Sequence, residues 1–118
     1  MRVLVTGANG FVGKHLVSAL SSLDGFKLSA TARRELSLPS HVKVYRHEFS
    51  KKTDWTQCLK DQDVIIHTAA MVQQIARSGD QSAANFREVN VEGTINLANQ
   101  ASLMERDYKY ETRNKTIR

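Results

Sequence analysis

The residues that first invite a chemical reading are Gly7, Gly10 and Gly13, one at every third position of the run Val3-Leu4-Val5-Thr6-Gly7-Ala8-Asn9-Gly10-Phe11-Val12-Gly13. An apolar strand precedes them and an amphipathic helix follows, the setting in which glycines at this spacing form a phosphate-binding turn. Gly7 lets the chain leave the strand through backbone angles closed to a side chain, and Gly10 lets the backbone approach a pyrophosphate. Gly13 lets helix and strand pack closely. The N–H groups at the helix start carry a partial positive charge, so a diphosphate can be held there without a charged side chain.

A dinucleotide lying on such a turn brings its adenosine ribose to the end of the second strand, where an acidic side chain would accept hydrogen bonds from the 2′ hydroxyl. This chain carries Arg33 and Arg34 there, suited to a 2′ phosphate and so favouring NADP, while Glu35 keeps NAD open. The bland alternative is a solvated pair of arginines. Glu48 and Phe49, after the third strand, are expected as a polar and an apolar contact to the adenine, or else as a loop carboxylate and a core ring. Thr68 closes the fourth strand and Ala69 and Ala70 follow it, where small side chains leave room for a cofactor. His67 invites the role of catalytic base. Nothing near it in sequence would orient or use it, which favours a satisfied histidine at a strand end. Asn90 lies beside the apolar stripe of a helix, where it holds a kink, holds a water near the cofactor, or marks the edge of the stripe. His15, His41 and His47 share no metal-ligand spacing, so no metal is expected. Cys58 falls in an apolar stripe and reads as a small buried hydrophobe.

The elements that must position these residues follow from hydrophobic periodicity. After the first strand, Phe11, Val12, Leu16, Val17, Leu20 and Leu23 recur at helical spacing, and Asp24-Gly25 ends that helix. Phe26 to Ala32 alternate as a second strand, and Val42 to Tyr45 form a third, beyond Pro39. Trp55, Cys58 and Leu59 mark a short helix. Val64 to Thr68 read as a fourth strand covered on both faces. A polar loop, Gln73 to Asp80, leads to a long helix from about Gln81 to Met104 with Phe86, Val89, Gly93, Leu97 and Ala101 on one stripe. Gly93 costs about 1 kcal/mol inside a helix, which makes sense if another backbone approaches it. Helical crossovers between strands imply a parallel, doubly wound α/β sheet in the order 3-2-1-4 with helices on both faces.

Composition bounds the rest. A chain of 118 residues holds at most one domain, expected over 1–104, followed by a polar tail over 105–118. Tyr108, Tyr110 and Thr112 alternate well enough for an edge strand, but a solvated or disordered tail is the simpler reading. The net charge of +5 lies partly in that tail and forms no clustered basic face, so nucleic-acid binding is not expected. One cysteine excludes an internal disulfide and fits a reducing cytoplasm. No apolar run is long enough to span a bilayer, so no membrane partner is expected.

Three of these stretches in order, Thr6 to Gly13, Asp63-Val64-Ile65-Ile66-His67-Thr68-Ala69-Ala70 and Asn90-Val91-Glu92-Gly93-Thr94, resemble the signatures of the extended short-chain dehydrogenase/reductases, specifically the NAD(P)-dependent nucleotide-sugar epimerase/dehydratase group. The resemblance covers about residues 1–102. It implies a Rossmann fold, a bound nicotinamide dinucleotide, and oxidation of a nucleotide-sugar followed by reduction of the keto intermediate. It also implies that Gly7, Gly10, Phe11 and Val12 hold the pyrophosphate, with Asn9 in the same turn. Ala69 and Ala70 would line the path to the nicotinamide, and Asn90 matches the family's structural active-site asparagine. Glu48 stands where the family usually carries an aspartate. The family's next strand, with its serine or threonine, and its Tyr-x-x-x-Lys pair do not occur in these residues. The expectation is therefore the cofactor-binding half of an epimerase-type protein, truncated after about four strands and catalytically incomplete. The alternative is a non-catalytic dinucleotide-binding module that acts through protein partners. The fourth strand would be left as an exposed apolar edge, expected to self-associate or to be covered by the tail.

Overall fold

The computed structural model of the chain describes residues 1–70 and 80–116. The polar loop expected over Gln73–Asp80 lies outside the described residues, except for Asp80, which opens a helix. Four parallel strands, β1 (Arg2–Thr6), β2 (Lys27–Ala32), β3 (Lys43–Arg46) and β4 (Val64–His67), form one sheet in the order β3-β2-β1-β4. The expected Rossmann-type order is the observed one. Helix α1 (Phe11–Ser21) joins β1 to β2, α2 (Thr56–Leu59) precedes β4, and α3 (Asp80–Arg87) leads through a π-helical turn, Glu88–Glu92, into α4 (Gly93–Thr116).

The pleat of β1 sorts its side chains to two cores. Val3 and Val5 join Ala8, Val17, Leu28, Ala30 and Val42 beneath α1, with Leu16, Leu20 and Ile66 packed against them. Leu4 faces the other way and joins Trp55, Cys58, Leu59 and Leu97, with Tyr45, Phe49, Ile65, Ala101 and Met104 around them. Each large aliphatic side chain buried in this way contributes about 1.5–3 kcal/mol. Helices therefore cover both faces of the sheet, and every strand ends at the same rim.

The structure departs from the expected pattern in three places. Phe11, Val12 and Leu23 are more than half exposed, because they lie at or beyond the two ends of α1, outside the stretch that covers the sheet. The single long stripe is broken by the π-turn: Gly93 and Leu97 are buried while Phe86 remains exposed. A π-turn takes up one more residue than an α-turn, so the apolar face rotates as the chain passes through it. Finally, no edge strand forms over Tyr108, Tyr110 and Thr112. Backbone through Thr116 continues α4, since extending an established helix costs far less than nucleating a new element. Among the described residues β4 has no strand on its outer side, and Val64 is exposed there.

Candidate cofactor site

The glycine turn has the geometry its sequence predicts. Gly7 follows β1 at φ +69, a left-handed value that glycine adopts without strain, and a Cβ there would lie 2.6 Å from the backbone of Ala69. The Gly7 carbonyl accepts the Gly10 N–H at 3.0 Å, which closes the turn. Gly10 then caps α1 with its backbone alone, without any side-chain hydrogen bond. First-turn N–H groups have no acceptor within a helix, so those of α1 face the rim of the sheet unmasked by a capping side chain. A Cβ on Gly13 would sit 2.2 Å from the Gly7 oxygen and 2.8 Å from the Thr68 hydroxyl, so α1 rests directly on the turn. Phe11 and Val12 are exposed, and with Asn9 and Gly10 they leave the mouth of the turn open.

The carboxyl rim gathers the other predicted positions by connectivity. Arg33 and Arg34 leave the end of β2, both exposed. Glu48 and Phe49 follow β3, the first exposed and the second half-buried. Thr68, Ala69 and Ala70 follow β4 against the glycine turn. The Phe49 ring is engaged in packing: it lies 4.8 Å from the His67 ring and 5.8 Å from Trp55. It also fills the space over Gly93, where an added Cβ would lie 2.9 Å from the ring. The glycine in the helix thus admits an aromatic ring, where the sequence pointed to a backbone. The Thr68 hydroxyl is likewise engaged, donating to the Thr6 carbonyl at 2.5 Å.

His67 is held at both ring nitrogens. The Thr94 hydroxyl donates to the Asn90 carbonyl at 2.7 Å, so at 3.2 Å from His67 Nε2 it accepts that nitrogen's proton. The Thr6 hydroxyl collects the backbone N–H groups of Thr68 (3.2 Å) and Ala69 (3.3 Å), so it donates to His67 Nδ1 at 2.6 Å. These directions assign the neutral tautomer with its proton on Nε2. Burial favours the neutral ring as well, pushing the His67 pKa below its ordinary value. The satisfied histidine is the one observed. Asn90 lies half-buried in the middle of the π-turn.

Sequence reasoning missed a polar clamp between α4 and the segment after β3. Asn96 Nδ2 donates to the carbonyls of Ser50 (3.2 Å) and Thr53 (2.9 Å). Gln100 donates to the Thr53 carbonyl and accepts the Trp55 N–H, both at 2.8 Å. Lys51 adds ion pairs to Glu88 and Glu92 across the π-turn. The available signal was an asparagine and a glutamine four residues apart, flanking buried Leu97. Cys58 is buried and donates to the Trp55 carbonyl, and burial pushes its thiol up to about 11. Among the described residues, no group of three His, Cys, Asp or Glu side chains could hold a metal ion, and no helix is long and apolar enough to cross a membrane.

A parallel doubly wound sheet with a glycine turn between β1 and α1 defines a dinucleotide-binding α/β fold. Residues 3–110 match the model of the NAD dependent epimerase/dehydratase family, and the chain belongs to that family. It is 30% identical over 99 residues to a UDP-glucose 4-epimerase of Vibrio cholerae, a match covering 84% of this chain and 30% of that protein. It is 35% identical over 102 residues to a 3-beta-hydroxysteroid dehydrogenase of Mycolicibacterium neoaurum, covering 81% of this chain and 27% of the relative. Among solved structures, a UDP-glucuronic acid 4-epimerase from Bacillus cereus, in complex with UDP-glucuronic acid and NAD, superposes with a TM-score of 0.73 at 26% identity. That match covers 85% of this chain and 36% of the enzyme. The chain spans less than a third of the length of these two curated relatives.

Proposed function

We propose that this chain is the NAD(P)-binding portion of an oxidoreductase that acts on a secondary alcohol of a nucleotide-sugar. The glycine turn carries the reading: Gly7, Asn9, Gly10, Phe11, Val12 and Gly13 form the start of a helix that no side chain caps, the setting that suits a pyrophosphate. Arg33 and Arg34 would meet the ribose end, with NADP favoured over NAD. Glu48 and the backbone at Phe49 would meet the adenine. Thr68 would set the shape of the turn, Ala69 and Ala70 would flank the nicotinamide, and Asn90 would serve from the π-turn as the active-site asparagine. The nicotinamide, when bound, supplies a hydride acceptor.

Removing a hydride from a sugar carbon also requires a base for the hydroxyl proton. A tyrosine titrates near 10, so it needs an ammonium close by to ionise at neutral pH. No Tyr-x-x-x-Lys pair occurs in these 118 residues, and both nitrogens of His67 are already engaged. The chain by itself therefore binds cofactor without turnover. The relatives' names also support a second reading in which the alcohol is a steroid 3-hydroxyl, because the steroid dehydrogenase is 35% identical against 30% for the epimerase. Among the described residues no strand covers the outer side of β4, which supports self-association through that edge, and the free, buried Cys58 supports a reducing, cytoplasmic location.

The test is a titration with NAD and NADP, followed by a nicotinamide absorbance assay with UDP-, GDP- and dTDP-sugars and a 3β-hydroxysteroid. Binding without turnover is expected. Turnover by the 118-residue chain contradicts the incompleteness, and failure to bind either dinucleotide contradicts the reading as a whole.

A further inference from the structure

One side chain joins two parts of the candidate site that come from distant stretches of sequence. On one side of His67, the Thr6 hydroxyl gathers the N–H groups of Thr68 and Ala69, which shape the turn after β4 against Gly7. On the other side, Thr94 holds the Asn90 carbonyl inside the π-turn. The imidazole spans the gap, with Nδ1 2.6 Å from Thr6 Oγ1 and Nε2 3.2 Å from Thr94 Oγ1.

We propose that His67 is a positioning residue: as the neutral Nε2–H tautomer it locks the π-turn at Asn90 to the strand ends that carry Thr6 and Ala69, and its protonation releases that lock and weakens dinucleotide binding. The proposal rests on the cofactor reading above. A proton added at Nδ1 turns an acceptor into a donor aimed at the Thr6 hydroxyl. Thr6 Oγ1 already accepts two N–H groups, so it must withdraw its own proton from the ring and give up Thr68 or Ala69 to accept a third. Either change falls on the turn that meets the glycines.

The ring is packed on Phe49 at 4.8 Å, and among the described residues burial alone moves its pKa. The ionisable groups on the surrounding elements are Arg2 on β1, Asp63 before β4, His47, Glu48, Lys51, Lys52 and Asp54 after β3, and Glu88 and Glu92 on the π-turn, the last two paired with Lys51. Between Gly93 and Met104, α4 brings none. Because burial holds the folded pKa below the ordinary 6.5, the neutral, locking form predominates at neutral pH and is lost as pH falls through the folded value.

The experiment combines nitrogen-15 histidine NMR of the full chain, which locates the His67 titration, with NAD calorimetry at about pH 7.5 and at a pH below that titration, itself below the ordinary histidine pKa. We expect the Nε2–H tautomer at His67 at the higher pH, and NAD affinity weaker at the lower pH, the loss approaching about tenfold per unit of pKa difference between free and bound protein only where pH lies below both values. His67→Gln should bind NAD more weakly than the native chain at the higher pH and show a flat profile. His47→Gln and Glu88→Gln/Glu92→Gln should keep the native slope. An Nδ1–H tautomer, a pH-independent affinity in the native chain, or an unchanged slope in His67→Gln overturns the proposal. If His67→Gln does not fold, the tautomer, the native slope and the His47 and glutamate controls decide it. No NAD binding at any pH overturns the cofactor reading and the affinity claim with it, leaving the tautomer to judge the lock alone.

Discussion

Gly13→Ala tests the glycine turn at its tightest contact. Helix propensity alone favours alanine by about 1 kcal/mol in a helix interior. Opposing this, the new methyl would lie 2.2 Å from the Gly7 oxygen and 2.8 Å from the Thr68 hydroxyl. Neither neighbour can yield cheaply, because the Gly7 carbonyl accepts the Gly10 N–H and the Thr68 hydroxyl is anchored on the Thr6 carbonyl. Overpacking of this kind costs about 1–3 kcal/mol and sometimes more, and a backbone clash belongs at the upper end. The net loss should be about 2 kcal/mol, a fall in Tm of about 10 °C for a domain of this size. NAD affinity should fall as well, since the displaced carbonyl closes the turn. Gly25→Ala is the control: an added Cβ there meets nothing within 4 Å, but φ is +90. Its cost is conformational, about 1–2 kcal/mol, and it should leave NAD affinity unchanged. Thermal unfolding and calorimetry on both variants separate the two effects. A Gly13→Ala protein that melts at or above the native temperature would refute the account of how α1 seats on the turn.

Two further outcomes follow from single side chains. With its thiol buried and its pKa pushed up to about 11, Cys58 should resist a disulfide reagent in the folded chain at about pH 8 and react fully in urea; rapid labelling of the native protein would contradict that burial. If Arg33 and Arg34 meet a 2′ phosphate, calorimetry should find NADP bound more tightly than NAD, and Arg33→Asp should narrow or invert the preference. Equal affinities before and after the change count against it.

What was legible in the sequence was whatever strict periodicity or backbone permissiveness encodes. The unbroken apolar run of Val3, Leu4 and Val5 predicts a buried strand, and the glycine spacing predicts a turn after it; both are present in the fold. The long helix was legible only as far as one period held. The π-turn at Glu88–Glu92 leaves no compositional mark and shows only as a slip between Phe86 and Leu97. The partners of His67 were invisible for another reason. Thr6 lies 61 residues away from it and Thr94 lies 27, and only the parallel register that pairs Thr6 with His67 brings the hydroxyl to the ring. The sequence admits Phe49 as an adenine contact or a core ring, and the fold engages its ring in the core over Gly93.

The central claim is that a nicotinamide dinucleotide sits on the carboxyl rim of the sheet with its pyrophosphate at the glycine turn. The most direct measurement is a nitrogen-15 amide NMR titration of the chain with NAD. Shifts are expected at Gly7 to Gly13, at Arg33 and Arg34 and at Thr68 to Ala70, with Arg2, Lys27 and Asp63 at the opposite end of the strands unmoved. An unperturbed glycine turn at saturating NAD, or shifts confined to the opposite end, would contradict the account.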